Sequence, residues 1–255
     1  MYIWRETMNL KEFFIKHPCV AVAFSGGVDS AYLLYAAKKY AKKVCAYYVK
    51  SEFQPQFELD DAIKLAKELD AEMKIINLHI LSVPCVKENP IDRCYYCKKA
   101  IFSAIITQAE KDGFKILLDG TNASDDEKDR PGVKALCELS VLSPLKQAGL
   151  TKADIRKLSK KAGLFTWDKP AYACLATRVA TGEEITIKKL SATESAEDYL
   201  LSLGFKDFRI RLKNGVGKIQ INEEQLPRLL ENRKRILENL KKHYDCVVLD
   251  LEVRG

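Results

Sequence analysis

Short apolar runs alternate with longer amphipathic stretches over the first two thirds of the chain. Val20-Ala21-Val22-Ala23-Phe24 predicts a buried strand. A loop of small residues follows, then a helix over about 30–39, and residues 44–49 predict the next strand. Over 57–69, Leu59, Ala62, Ile63, Ala66 and Leu69 recur at helical spacing. Residues 74–78 predict a strand, 93–111 a long helix, and 116–119 a strand that ends in a loop. Thr151 with Asp154 three residues on marks a helix start over 151–162. Repeated strand–helix units imply a parallel sheet with helices on both faces.

The rhythm then changes. Residues 188–203 predict a helix closed by Gly204. Residues 208–212 and 216–221 predict two strands around Asn214-Gly215, a strong hairpin signal. A long charged helix over 223–242 and a last strand over 247–251 follow. The expected division is an α/β domain over 1–184 and a small α+β domain over 185–255.

The 255 residues carry 42 Lys+Arg against 35 Asp+Glu, a net charge of +7 spread over both halves. That balance suits anionic small molecules and does not require nucleic acid. No apolar run approaches the roughly 20 residues of a membrane-spanning helix. Residues 1–16 mix charged and aromatic side chains without the pattern of a signal peptide, so a cytoplasmic protein is expected. Eight cysteines in such a chain argue for metal or redox chemistry rather than disulfides. Only Cys94 and Cys97 stand at ligand spacing. On a helix, i and i+3 put both sulfurs on one face, which suits an iron–sulfur cluster and zinc about equally. Cys174, in a loop-like stretch, is the best third ligand.

The sharpest motif is Ser25-Gly26-Gly27-Val28-Asp29-Ser30, where a strand gives way to a helix. Glycines there let several N–H groups point inward, and the helix N-terminus adds a positive dipole. The motif lacks the Gly-Lys-Ser/Thr ending of the Walker loop. Asp119-Gly120-Thr121-Asn122 also ends a strand, and ligands of open α/β sheets bind beyond strand carboxyl ends. Both segments are expected to converge on one phosphate-bearing ligand. Arg178, beside Cys174, has a fork suited to phosphate. Arg209 and Arg211 alternate on one strand face and could form one anion site.

Ser-Gly-Gly-x-Asp-Ser after an apolar strand resembles the pyrophosphate loop of the N-type ATP pyrophosphatases. Within that group the chain resembles the LarE family of sulfur transferases, which mature the nickel-pincer cofactor of lactate racemase. The resemblance rests on Lys50-Ser51-Glu52, Cys94-Tyr95-Tyr96-Cys97-Lys98-Lys99, Asp119-Gly120-Thr121-Asn122 and Asp129-Arg130-Pro131-Gly132. It continues through Trp167-Asp168-Lys169-Pro170-Ala171, Cys174-Leu175-Ala176-Thr177-Arg178, Gly204-Phe205 and Arg209-Ile210-Arg211. It implies a parallel-sheet PP-loop domain of the adenine nucleotide α-hydrolase-like kind, with a smaller C-terminal α+β domain. It further implies ATP cleaved between its α and β phosphates with Mg²⁺, and a carboxylate of a pyridinium mononucleotide turned into a thiocarboxylate.

By resemblance, the 25–30 loop, Ser51 and Asp119, Gly120 and Thr121 bind ATP, with Asp29 and Asp119 positioning Mg²⁺. Lys98, Arg178, Glu197, Arg209 and Arg211 match positions near the substrate or its phosphates, and Arg130 holds its loop by a salt bridge. One branch of the family carries a [4Fe–4S] cluster; the other sacrifices a cysteine that would align at Ala173. The chain therefore matches the cluster pattern, with Cys94, Cys97 and Cys174 as ligands. Sulfide or a sulfur-donor protein is the expected partner, in a homo-oligomer without nucleic acid or membrane. A tRNA thiolase and a non-enzymatic nucleotide-binding or cluster-sensing protein are the alternative readings.

Overall fold

A computed structural model describes residues 9–125 and 131–252. Arg130 and the first eight residues of the N-terminal reading lie outside the described residues. In chain order the elements are α1 (Leu10–Lys16), β1 (Cys19–Ala23), α2 (Val28–Tyr40), β2 (Lys43–Lys50), α3 (Gln56–Glu68) and β3 (Met73–Asn77). Then come α4 (Pro84–Lys87), α5 (Arg93–Lys111), β4 (Leu117–Leu118), α6 (Pro131–Glu138), α7 (Pro144–Gln147) and α8 (Lys152–Lys161). The last are α9 (Ile187–Ser202), β5 (Arg209–Lys213), β6 (Val216–Gln220), α10 (Leu226–Glu231), α11 (Arg233–Leu240) and β7 (Cys246–Leu249). Two compact units share them. Unit 1 takes Met1–Ser51, Gln56–Leu78 and Cys94–Lys169. Unit 2 takes Glu52–Pro55, His79–Arg93 and Pro170–Gly255.

Unit 1 is built on a four-stranded parallel sheet in the order β3-β2-β1-β4. β1, β2 and β4 are buried along most of their length, which is why they read as apolar runs, while β3 at the edge is only partly buried. Val20, Val22 and Phe24 pack with Phe13 and Phe14 of α1, Leu33 and Leu34 of α2, and Ile155 of α8. Their alternate neighbours Ala21, Cys45, Tyr47 and Val49 pack with Phe102, Ile105 and Ala109 of α5. Burial raises the Cys45 thiol to about 11, so it sits in the core as a small apolar group. The chain moves outward from β1 through β2 to β3, then returns through α5 to place β4 on the other side of β1. Strand order thus reverses between β1 and β4, the kind of switch point at whose carboxyl ends open α/β sheets bind ligands.

Unit 2 holds an antiparallel β5–β6 hairpin with β7 parallel to β6. Asn214 and Gly215 both have positive φ, 48° and 76°, as a two-residue turn between right-twisted strands requires. The sheet packs on α9 and α11 through Leu200, Phe205, Ile210, Ile219, Ile236 and Leu240. The single charged helix expected over 223–242 is divided. A 3₁₀ turn at Glu223–Gln225 precedes α10, and Pro227, in the first turn of α10, has no N–H to continue an upstream helix. Asn232 then ends α10 and starts α11, with its amide donating back to the Arg228 carbonyl at 2.9 Å.

Candidate functional site

The loop after β1 is wound on its own serines. The Ser25 N–H donates to Ser30 Oγ at 3.3 Å, and the Ser30 hydroxyl donates to the Gly27 carbonyl at 3.1 Å. The two hydroxyls lie 3.1 Å apart. Gly26 has φ +71°, and a Cβ there would stand 3.2 Å from Ala62 Cβ of α3. Gly27 is the N-cap of α2 and offers no side-chain acceptor. Among the described residues no N-cap side chain meets the opening N–H groups of that helix, which with the helix dipole behind them suit an external anion.

The loop after β4 presses against this turn. A Cβ on Gly120 would lie 2.9 Å from the Ser30 nitrogen and 3.3 Å from the Asp29 carbonyl carbon. Asp119 is buried and accepts from Ser143 Oγ at 2.6 Å and from the Thr121 hydroxyl. Asn122, also buried, donates to Asp29 Oδ1 at 3.4 Å. Gly120→Ala is therefore expected to force the two loops apart. Overpacking of this kind costs about 1–3 kcal/mol. Thermal unfolding should show that loss, and an ATP titration should show weakened binding; a variant that binds ATP like wild type would mean the loops need not meet.

Lys152 was not visible as a site residue from its motif alone. It is the first residue of α8, behind the Thr151–Asp154 capping box, and its ammonium pairs with Asp29. A lysine in the first turn of a helix opposes the dipole, and that misplacement was the available signal. Asp29 thus joins the phosphate loop to the β4 loop through Asn122 and to α8 through Lys152. Ser51, just past β2, is buried. Two acidic side chains on abutting loops suit Mg²⁺, which takes one or two carboxylates and completes its shell with phosphates and water.

On α5, Cys94 and Cys97 occupy the second and fifth positions, Cys94 exposed and Cys97 half-buried. The Lys98 stem lies against Gly132 of α6, where a Cβ would meet it at 2.7 Å. Tyr95 donates its hydroxyl to Glu138 of α6 at 2.7 Å, and Lys99 joins both groups. Among the described residues no three His, Cys, Asp or Glu side chains are gathered to hold a metal ion. Cys94 and Cys97 belong to unit 1 and Cys174 to unit 2.

Unit 2 places Cys174 at the N-cap of a 3₁₀ turn, Leu175–Arg178. Arg178 is fully buried and forks onto Glu197, Nε to Oε1 at 2.8 Å and Nη2 to Oε2 at 3.0 Å. Burial disfavours its charge, but the hydrogen bonds and charge of Glu197 outweigh that and raise its pKa. The fork expected to grip phosphate thus grips Glu197, and Nη1 donates to the Ala173 carbonyl at 2.8 Å. Glu197 also accepts from the Tyr172 hydroxyl at 2.7 Å and the Ile210 N–H at 3.0 Å. Arg178 and Arg209 lie over the Tyr172 ring, at 4.6 and 5.3 Å from its centre. Arg209 donates to the Phe208 and Ala171 carbonyls, and Arg211 to Gln220 and the Thr177 carbonyl.

A parallel sheet with a glycine turn, an unmet helix N-terminus and a second loop at its switch point defines a PP-loop nucleotide-binding domain. The sequence model described as "Queuosine biosynthesis protein QueC" matches residues 19–87, which span β1 to α4. The chain is 34% identical over 235 residues to the pyridinium-3,5-bisthiocarboxylic acid mononucleotide synthase of Lactiplantibacillus plantarum, covering 91% of this chain and 85% of that protein. It is 32% identical over 226 residues to an uncharacterized protein, slr1717, of Synechocystis sp., covering 88% and 84%. A tRNA-specific 2-thiouridylase, MnmA, of Pseudothermotoga lettingae matches at 26% over 191 residues, covering 59% and 53%. On identity and coverage together, the chain belongs to the LarE family of ATP-dependent sulfur transferases.

Proposed function

We propose that this protein uses ATP to convert the carboxylates of pyridinium-3,5-biscarboxylic acid mononucleotide to thiocarboxylates. The observation that carries the reading is the unmet N-terminus of α2 facing the Asp119–Gly120 loop, in a chain with 34% identity to the named synthase. A carboxylate is a poor electrophile. Its oxygen attacks the α-phosphorus of ATP, pyrophosphate leaves, and the acyl-adenylate carries AMP as a leaving group. A sulfur nucleophile then adds to the carbonyl and AMP departs. The 25–30 loop cradles the phosphates, and Asp29 and Asp119 are the residues that would hold Mg²⁺, which would supply charge neutralisation for the pyrophosphate leaving group. Asn122 keeps Asp29 in place, and Lys152 is set to exchange its bond with Asp29 for phosphate oxygens.

The finer part of the reading concerns sulfur. The i, i+3 pair of thiols and Ala173 at the sacrificial position support a [4Fe–4S] cluster on Cys94, Cys97 and Cys174. Sulfide or a sulfur-donor protein would supply the sulfur, and the cytoplasm is where such thiols stay reduced. Protein purified without oxygen is expected to hold about four irons and four sulfides. With the pyridinium substrate, ATP, Mg²⁺ and sulfide, mass spectrometry should show oxygen replaced by sulfur, with AMP and pyrophosphate formed in step. No AMP with this substrate, but AMP formation and thiolation with tRNA, would favour the second reading, which rests on the partial match to the thiouridylase. A dehydroalanine at position 174 after one turnover would replace the cluster with a sacrificial cysteine.

A further inference from the structure

Within unit 2, four arginines donate to main-chain carbonyls of one short stretch. Arg209 binds the Ala171 carbonyl at 2.6 Å, Arg178 that of Ala173 at 2.8 Å, Arg93 that of Ala176 at 3.0 Å, and Arg211 that of Thr177. Cys174 stands in the middle of this stretch. Arg178, Arg209 and Arg211 belong to the family pattern already described, whereas Arg93 and Asn89 are not among the residues named there. Arg93 is 8% exposed, and its Nη1 also donates to Asn89 Oδ1 at 2.5 Å. Asn89 is 1% exposed and sits at φ +57°, a conformation that asparagine tolerates and most side chains do not. Its amide nitrogen donates to the Ala180 carbonyl at 2.8 Å, and its own carbonyl accepts from the Gly182 N–H at 2.9 Å. The Asn89–Arg93 pair thus fastens the chain on the downstream side of Cys174, from Ala176 to Gly182.

A carbonyl in a surface turn is satisfied by water at little cost. Burying a guanidinium to bind it requires desolvating a charge, which is expensive unless the geometry it secures has a use. Backbone strain at Asn89 adds to that cost. Attack on an acyl-adenylate needs the sulfur-bearing residue placed to within about an ångström. We propose that Arg93, held by Asn89, is a positioning residue for sulfur transfer: it fixes the 3₁₀ turn that carries Cys174 and takes no part in ATP activation. The inference rests on the reading that Cys174 serves sulfur transfer.

The test separates the two half-reactions. In Arg93→Ala, thiocarboxylate formation should fall about 10- to 100-fold, the effect of a misplaced reacting group. Substrate-dependent AMP and pyrophosphate formation should stay at the wild-type rate. Backbone amides of Leu175, Thr177 and Val179, which donate to Phe53, Cys174 and Ala176, should exchange with deuterium about tenfold faster. Arg93→Lys, which restores one donor, should recover part of the transfer rate. Should Arg93→Ala fail to fold, Asn89→Gly keeps the left-handed backbone while removing the side-chain bonds to Val179, Ala180 and Arg93, and the same split is expected. Loss of adenylation in parallel with transfer in a folded variant would overturn the proposal, as would unchanged transfer. If wild type itself makes no AMP from the pyridinium substrate, the functional reading fails. The exchange measurement then still decides whether Arg93 holds the turn, with unchanged exchange overturning it.

Discussion

Asp29→Ala lowers substrate-dependent pyrophosphate release about 100-fold while the protein stays folded, the size of effect expected when one preorganised electrostatic contact to a reacting phosphate is lost. Asp29 lies in the first turn of α2 and reaches Asn122 and Lys152, so its removal breaks the polar link between the phosphate loop, the β4 loop and α8. None of these contacts belongs to the apolar core, and the thermal midpoint should move little. Pyrophosphate release and circular dichroism on the same preparation check both halves. A folded variant that releases pyrophosphate at the wild-type rate would take Asp29 out of the mechanism. Lys152→Met tests the partner, and its loss should weaken ATP binding more than it alters the fold.

The second large effect is on stability. Arg178→Met leaves Glu197 buried without its counter-charge, and breaking a buried ion pair from one side costs about 3–5 kcal/mol. Glu197 is 3% exposed, so water cannot substitute for the lost fork. Two other donors, the Tyr172 hydroxyl and the Ile210 N–H, remain on the carboxylate and keep the cost below that of an isolated charge. Denaturant unfolding should register the loss. Arg178→Lys keeps the charge but cannot span both carboxylate oxygens and the Ala173 carbonyl together. It should therefore fold with reduced sulfur transfer. A lysine variant equal to wild type would make Arg178 a counter-charge and nothing more.

Much of unit 1 was legible because its strands are short apolar runs separated by amphipathic helices, and one period does not mimic the other. The 25–30 loop was legible because glycine pairs at a strand end have few other uses. The divided helix after residue 223 was not, because charge and helical spacing continue across Asn232 and only Pro227 hints at a break. The grouping of residues 52–55 and 79–93 with the C-terminal unit leaves no local signal, since it is decided by tertiary contacts. Arg178 shows the limit for site residues. The sequence puts a guanidinium beside Cys174 and the resemblance adds Glu197 near the substrate, but their mutual fork is a matter of distance that no spacing rule reports. Lys152 and Arg93 were missed for the same reason, as each acts on a partner far along the chain.

The pairing of β1 with β4 has a kinetic consequence. Ala21 and Leu117 are neighbours in the sheet but 96 positions apart in the chain, and β4 is only two residues long. Closing so long a loop costs chain entropy before any contact rewards it, so this pairing forms late in folding. The strands from β1 to β3 are joined by local crossovers and can assemble before it. The crevice for the nucleotide therefore comes into being only with the last strand to dock, and is the first feature lost when that strand leaves. A ligand that bridges the two loops binds only the docked form, and acts as a clasp on it by RT ln(1 + [L]/Kd).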